Sequence, residues 1–158
     1  MKRKKPYRVL DSALIAHHSS LFFRVVDANL NRAREGLRVC EEVARLVLEA
    51  PQLTWRCQRL RYELHKVSQP FLPMQLLQAR DARRDIGRPS RKKGIATHSG
   101  YRDLTLANAK RVQEALRVVE EFTRLRSAPS SLAFSRLRFR VYNLEQDILR
   151  KLQAVLHR

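Results

Sequence analysis

Residues 28–46, ANLNRAREGLRVCEEVARL, return 79 positions later as residues 107–125, ANAKRVQEALRVVEEFTRL, with 11 identities in 19 positions, six of them charged. In the first copy Val26, Leu30, Ala33, Leu37, Cys40, Ala44 and Val47 alternate spacings of four and three, the apolar seam of a packed helix. Ala109, Val112, Leu116, Val119 and Thr123 continue the pattern in the second. A strand would need period two, and neither copy has it. Each copy ends at a breaker, Pro51 or Pro129, and a second apolar-periodic stretch follows. Arg59, Leu60 and Arg61 there match Arg136, Leu137 and Arg138. Two copies of a helical hairpin predict an all-α fold, an antiparallel four-helix bundle with approximate internal two-fold symmetry. The repeat units run over 24–67 and 105–145, within one helical domain over 21–158.

A chain of 158 residues with 44% hydrophobic content supports one core. Its formal charge of +18 favours anionic partners: nucleic acid, membrane phosphates or a phosphorylated small molecule. Half of the excess lies in residues 1–20, read as a flexible basic extension, and in 80–103. Cys40 and Cys57 form no CxxC and read as packing residues of a reduced, cytoplasmic protein. The five histidines lack metal-ligand spacing. No secretory h-region or membrane span is expected, and no membrane partner. Between the repeats, a short helix is expected around 74–84 and a mobile basic loop from Gly87 to Gly100.

On a helical wheel Asn29, Arg32 and Gly36 flank the seam, whereas Arg38, Glu41 and Arg45 point away from it. The alternating signs of Arg32, Glu35, Arg38, Glu41 or Glu42, and Arg45 read as a solvated ion-pair face. Asn29 and Asn108 fit that account poorly, since Asn is unfavourable inside a helix. A seam-edge Asn with Arg one turn on offers an amide and a planar guanidinium to an anion; a structural inter-helix network is the alternative. Gly36 lets a neighbour approach closely. In ARDARRDIG, 79–87, Asp81 and Asp85 share a face if helical, and suit either Mg²⁺ or local ion pairs. P-loop, Rossmann, nucleophile-elbow and HExxH motifs are all absent. The residues alone lead to an anion-binding helical bundle.

Four segments in order, RVVDANLNRAREGLRVCEEVARL (24–46), LRYELHKV (60–67), RDARRDIG (80–87) and ANAKRVQEALRVVEEF (107–122), followed by LRFRVYNLE (137–145), resemble one family. It is the small all-helical hydroxymethylpyrimidine-phosphate kinases of thiamine biosynthesis, found alone or fused ahead of thiamine-phosphate synthase. The resemblance implies ATP-dependent phosphorylation of 4-amino-5-hydroxymethyl-2-methylpyrimidine phosphate to the diphosphate. The family's polar motif positions fall at Asp27, Asn29, Arg32, Glu35, Arg38, Glu42, Arg61, Arg80, Asp81, Asp85, Asn108, Arg111, Glu114, Arg117, Glu121 and Arg138. Under it, Asp81 and Asp85 hold Mg²⁺ and, with Arg32 and Arg111, act in catalysis. Asn29, Asn108, Glu35, Glu114, Arg80, Arg61 and Arg138 bind substrate, and the duplication makes two polar half-sites facing one cleft. The resemblance implies a phosphorylated pyrimidine and thiamine-phosphate synthase as partners, and a homodimer is a further expectation. Two rival expectations are nucleic-acid binding through KRKK (2–5) and RPSRKK (88–93), and a non-catalytic scaffold for the synthase.

Overall fold

The apolar seam of each copy is the buried edge of a long helix. The computed structural model describes residues 12–86 and 97–156. Helix α1 spans Ser12–Glu42 and runs into a π-helical turn, Val43–Val47; α2 is Pro51–Ser68, α3 Pro73–Ala79, α4 Tyr101–Arg124 and α5 Ala128–Leu156. The breakers sit where helices begin: Pro51 opens α2 and Pro129 lies in the first turn of α5, positions that need no backbone N–H. Residues 12–20 belong to α1, so the helical domain reaches further back than the boundary read at residue 21; residues 1–11 lie outside the described residues.

Helix α1 packs against α2 and α4, and α5 packs against α4 and α2. The α1–α4 pair is antiparallel: a Cβ built on Gly36 would meet Val112, while Phe22, near the other end, stacks with Arg126 at 3.8 Å. Gly36 permits this approach, because that Cβ would stand 2.6 Å from Val112 Cγ2 and 2.9 Å from the Asn108 carbonyl oxygen. Helices α2 and α5 are joined by Arg56 with Asp147 and by Glu63 with Arg140. Glu63 and Arg140 occupy equivalent places in the two copies, so this pair sits on the internal two-fold axis.

The core is one cluster that includes Leu30, Leu37, Leu64, Leu116, Phe134, Leu144, Ile148 and Leu152. Each such side chain contributes about 1.5–3 kcal/mol by leaving water. Cys40 and Cys57 are buried free thiols, and burial pushes both up to about 12. The copies are offset by 79 residues in their first helices but by 77 in their second. The two additional residues of the first connection are taken up by the π-helical turn, where Leu48 N bonds Val43 O, and by Glu49 at φ 46°.

Two local expectations change. Glu41, read as pointing to solvent, is 2% exposed, and so is its counterpart Glu120 at 3%. The short helix ends at Ala79, and Arg80 is extended, so Asp81 and Asp85 do not share a helix face. Of the loop expected over 87–100, residues 87–96 lie outside the described residues, as does the RPSRKK stretch up to Lys93. Among the described residues no helix is long and apolar enough to cross a membrane.

Candidate active site

Six charged residues recur in the repeat, and the structure divides them into two groups. Arg38, Glu41, Glu42 and Arg45 are tied to one another in α1 and its π-helical turn, and Arg117, Glu120, Glu121 and Arg124 do the same in α4. The buried carboxylates Glu41 and Glu120 also hold the second helix of each hairpin, through Arg61 at 2.6 Å and Arg138 at 3.0 Å. The remaining pairs, Arg32 with Arg111 and Glu35 with Glu114, form no ion pair among the described residues. These four line the cleft between α1 and α4, of about 750 Å³.

Asn29, Arg32 and Glu35 line this cleft from α1, and Arg111 and Glu114 from α4, beside Ala115 and Val118. Asn29 is buried and donates Nδ2 to Val25 O at 2.8 Å, while its Oδ1 accepts from Arg32 Nη1 at 3.2 Å. The amide thus satisfies a backbone carbonyl and orients the guanidinium. Asn108 makes the same backbone bond, to Leu104 O at 2.9 Å, but does not line the cleft. The two-fold relation therefore brings both Arg–Glu half-sites together, with one Asn.

Asp81 and Asp85 lie elsewhere, in a smaller cleft of about 170 Å³ over the adjacent face of α1. Ala28 and Asn31 line that cleft and Arg32 lines the first; neighbouring residues point about 100° apart, so the two clefts lie roughly a quarter turn apart on α1. Asp27, 4% exposed, receives both Arg80 Nε at 2.7 Å and Arg80 Nη2 at 2.8 Å, a bidentate clamp that fixes the start of the segment after α3. Hydrogen bonding to Asp27, and its charge, raise the Arg80 pKa above the ordinary guanidinium value. Asp81 Oδ1 accepts the Arg84 N–H at 3.1 Å, and Arg24 Nη2 donates to the Asp81 carbonyl at 3.3 Å. Among the described residues no three potential metal ligands are gathered. Asp81 and Asp85 both line this cleft, a donor set that suits Mg²⁺, which keeps its waters and is held by one or two carboxylates together with substrate oxygens.

Arg61 and Arg138, expected to bind substrate, instead lie on α2 and α5 against Glu41 and Glu120 and line neither cleft. Asn31 and Arg34 escaped the sequence reading. Arg34 Nη2 donates to Ser68 Oγ at 3.2 Å and Nη1 to Asn31 Oδ1 at 3.4 Å, and Asn31 Nδ2 donates to Asp27 Oδ1 at 3.2 Å. The available signal was a difference, since the second copy has Lys110 and Gln113 at these places.

Comparison with known proteins gives one family and a set of longer relatives. The chain is 43% identical over 126 residues to a thiamine-phosphate synthase of Synechocystis sp., covering 80% of this chain and 36% of that protein. It is 39% identical over 127 residues to the thiamine-phosphate synthase of Nostoc punctiforme, covering 80% and 35%, and 41% identical over 140 residues to that of Thermosynechococcus vestitus, covering 84% and 37%. It thus spans little more than a third of the curated relatives it matches. No solved structure matches. The ThiD2 family matches residues 24–147, the span that holds both repeat units, both clefts and the motifs read from the sequence, and the chain belongs to this family of thiamine biosynthesis.

Proposed function

We propose that the chain phosphorylates 4-amino-5-hydroxymethyl-2-methylpyrimidine phosphate to the diphosphate, with ATP as donor. The observation that carries this reading is the cleft in which Arg32, Arg111, Glu35 and Glu114 meet without ion partners among the described residues, while the other charges shared by α1 and α4, Arg38, Glu41, Glu42 and Arg45 with their counterparts, pair with one another. Two guanidiniums and two carboxylates suit a ligand that is anionic at one end and offers an amino-heterocycle at the other. A purely basic groove would suit a polyphosphate chain better.

The acceptor is a phosphate oxygen, anionic at neutral pH, so the reaction needs no general base. Its barrier is the approach of two negative phosphates. Arg32 and Arg111 supply fixed positive charge at the acceptor, and their positions on two packed helices keep the geometry through the reaction. Asn29 holds Arg32 in place. Asp81 and Asp85 are the residues that would hold Mg²⁺, which when bound supplies charge neutralisation at the donor phosphates. Arg24 and Arg80 border the same cleft and add positive charge there. The longer relatives carrying this region, which are thiamine-phosphate synthases, support that synthase as the functional neighbour.

The test is ATP- and Mg²⁺-dependent formation of the diphosphate by purified protein, followed chromatographically. Turnover that is lost without Mg²⁺ upholds the proposal. A folded sample free of nucleic acid that gives no product, yet shifts RNA or DNA in a salt-dependent manner, replaces it with the nucleic-acid reading.

A further inference from the structure

The duplication supplies an internal control for the groove between α1 and α2, because α4 and α5 form its counterpart. In the second copy Gln113 Nε2 donates to Glu145 Oε2 at 2.6 Å and Lys110 Nζ stands 3.5 Å from Oε1. A buried carboxylate thus closes that groove. The equivalent places in the first copy hold Arg34, Ser68 and Asn31. The Lys110–Glu145 ion pair is replaced by two neutral side chains, Asn31 and Ser68, while the amide of Gln113 becomes the Arg34 guanidinium, so a locally neutral set becomes singly positive. Arg34 has no carboxylate within ion-pair distance among the described residues, and burial lowers its pKa although Asp27 partly offsets this. The half-buried guanidinium is held by neutral acceptors, Ser68 Oγ and Asn31 Oδ1, and not by a paired carboxylate.

Beside Arg34 lies a cavity of about 200 Å³. Phe71, Leu76 and Leu77 give it an apolar wall, while Ser68, Gln69 and His65 line it with groups that donate and accept hydrogen bonds. Asp27, Asn31 and Arg80 line this cavity and also the Asp81–Asp85 cleft, so the two share a wall. Each alone is below the roughly 300 Å³ of the smallest usual ligand pockets, and together they exceed it.

Resting on the kinase reading above, we propose that this cavity takes the base and ribose of the donor nucleotide, with the phosphates running past Asp27 and Arg80 toward Asp81 and Asp85. The apolar wall covers the ring, the Arg34 guanidinium offers a plane to stack on it, and Gln69 and Ser68 meet its polar edge. The acceptor then occupies the α1–α4 cleft alone, reached from the neighbouring face of α1.

The experiment is photolabelling of the full chain with 8-azido-ATP and Mg²⁺, followed by tryptic mapping. Label is expected in the peptide of residues 67–80, VSQPFLPMQLLQAR. A second arm uses Leu77→Trp, a substitution at a side chain 55% exposed, in a sample whose helicity matches the unsubstituted chain. It should weaken binding of a fluorescent ADP analogue at least tenfold and leave binding of the pyrimidine phosphate within twofold. Label confined to residues 112–117 of α4, or nucleotide affinity unchanged by Leu77→Trp, overturns this assignment while leaving the kinase reading intact. A folded chain that neither binds nucleotide nor turns over overturns both.

Discussion

Arg61 Nη1 stands 2.6 Å from Oε2 of Glu41, a carboxylate whose side chain is only 2% exposed. This joins α1 to α2, and Arg138 with Glu120 joins α4 to α5 in the same way. Arg61→Ala strands a buried negative charge whose one remaining ion partner among the described residues is Arg38. The expected loss is about 2–3 kcal/mol, below the ~3–5 kcal/mol of a fully buried broken pair because Arg61 is partly exposed and Arg38 remains. Urea unfolding measures it. The folded fraction should keep its KM for the pyrimidine phosphate within twofold; a tenfold rise at unchanged stability would return Arg61 to the substrate site.

Arg32→Ala and Arg111→Ala should behave in the opposite manner. Neither guanidinium has an ion partner among the described residues, so stability should change by no more than about 0.5 kcal/mol. Turnover should fall at least a hundredfold, about 2.7 kcal/mol of transition-state stabilisation. Near-normal kcat/KM in either folded variant contradicts the shared-cleft proposal.

Asp81→Asn keeps an oxygen that can accept the Arg84 N–H, so the local turn should survive. Loss of its charge should raise the Mg²⁺ concentration for half-maximal turnover at least tenfold, and Asp85→Asn should do likewise. A magnesium titration of the two variants that overlays the unsubstituted protein would remove both residues from the metal site.

Gly36→Ala brings a methyl group to 2.6 Å from Val112 Cγ2 and 2.9 Å from the Asn108 carbonyl. Backbone cannot yield as a flexible side chain does, so α1 and α4 must separate, at a cost of about 1–3 kcal/mol. Because the same two helices form the cleft, the variant should lose acceptor affinity as well as stability. Equilibrium unfolding and a KM determination on one preparation test both parts.

Cys40 and Cys57 should resist a maleimide at pH 7.5 until the chain unfolds, since both thiols are buried and pushed up to about 12. The linkage has a definite sign. A thiol whose pKa rises from 9.0 on folding keeps the folded state protonated, so its contribution is complete below pH 9 and declines as pH climbs toward 12. Unfolding midpoints that hold steady from pH 9 to 11 would contradict this.

The all-helical architecture and the duplication were legible because the seam recurs at fixed spacing. A period of three and four dictates which residues can be buried together, whatever the neighbour. The family too could be read from the chain, since its motifs are linear. The same local rule misassigned Glu41, which lies off the apolar seam yet, like its counterpart Glu120, is buried against an arginine from the next helix. It set Arg32 beside the seam and Arg38 away from it, but could not separate Glu35 from Glu42. All four sit in one alternating pattern, and only the packing of α1 on α4 leaves one pair facing a cleft and lets the other close on itself. Likewise the spacing of Asp81 and Asp85 suggested a shared helix face, but the helix stops at Ala79, and Arg80 is drawn from its register by Asp27, 53 residues earlier. What the sequence determined by itself was set by interactions within a turn or two of helix. What the tertiary structure decided was set by contacts between residues far apart in the chain, for which periodicity carries no information.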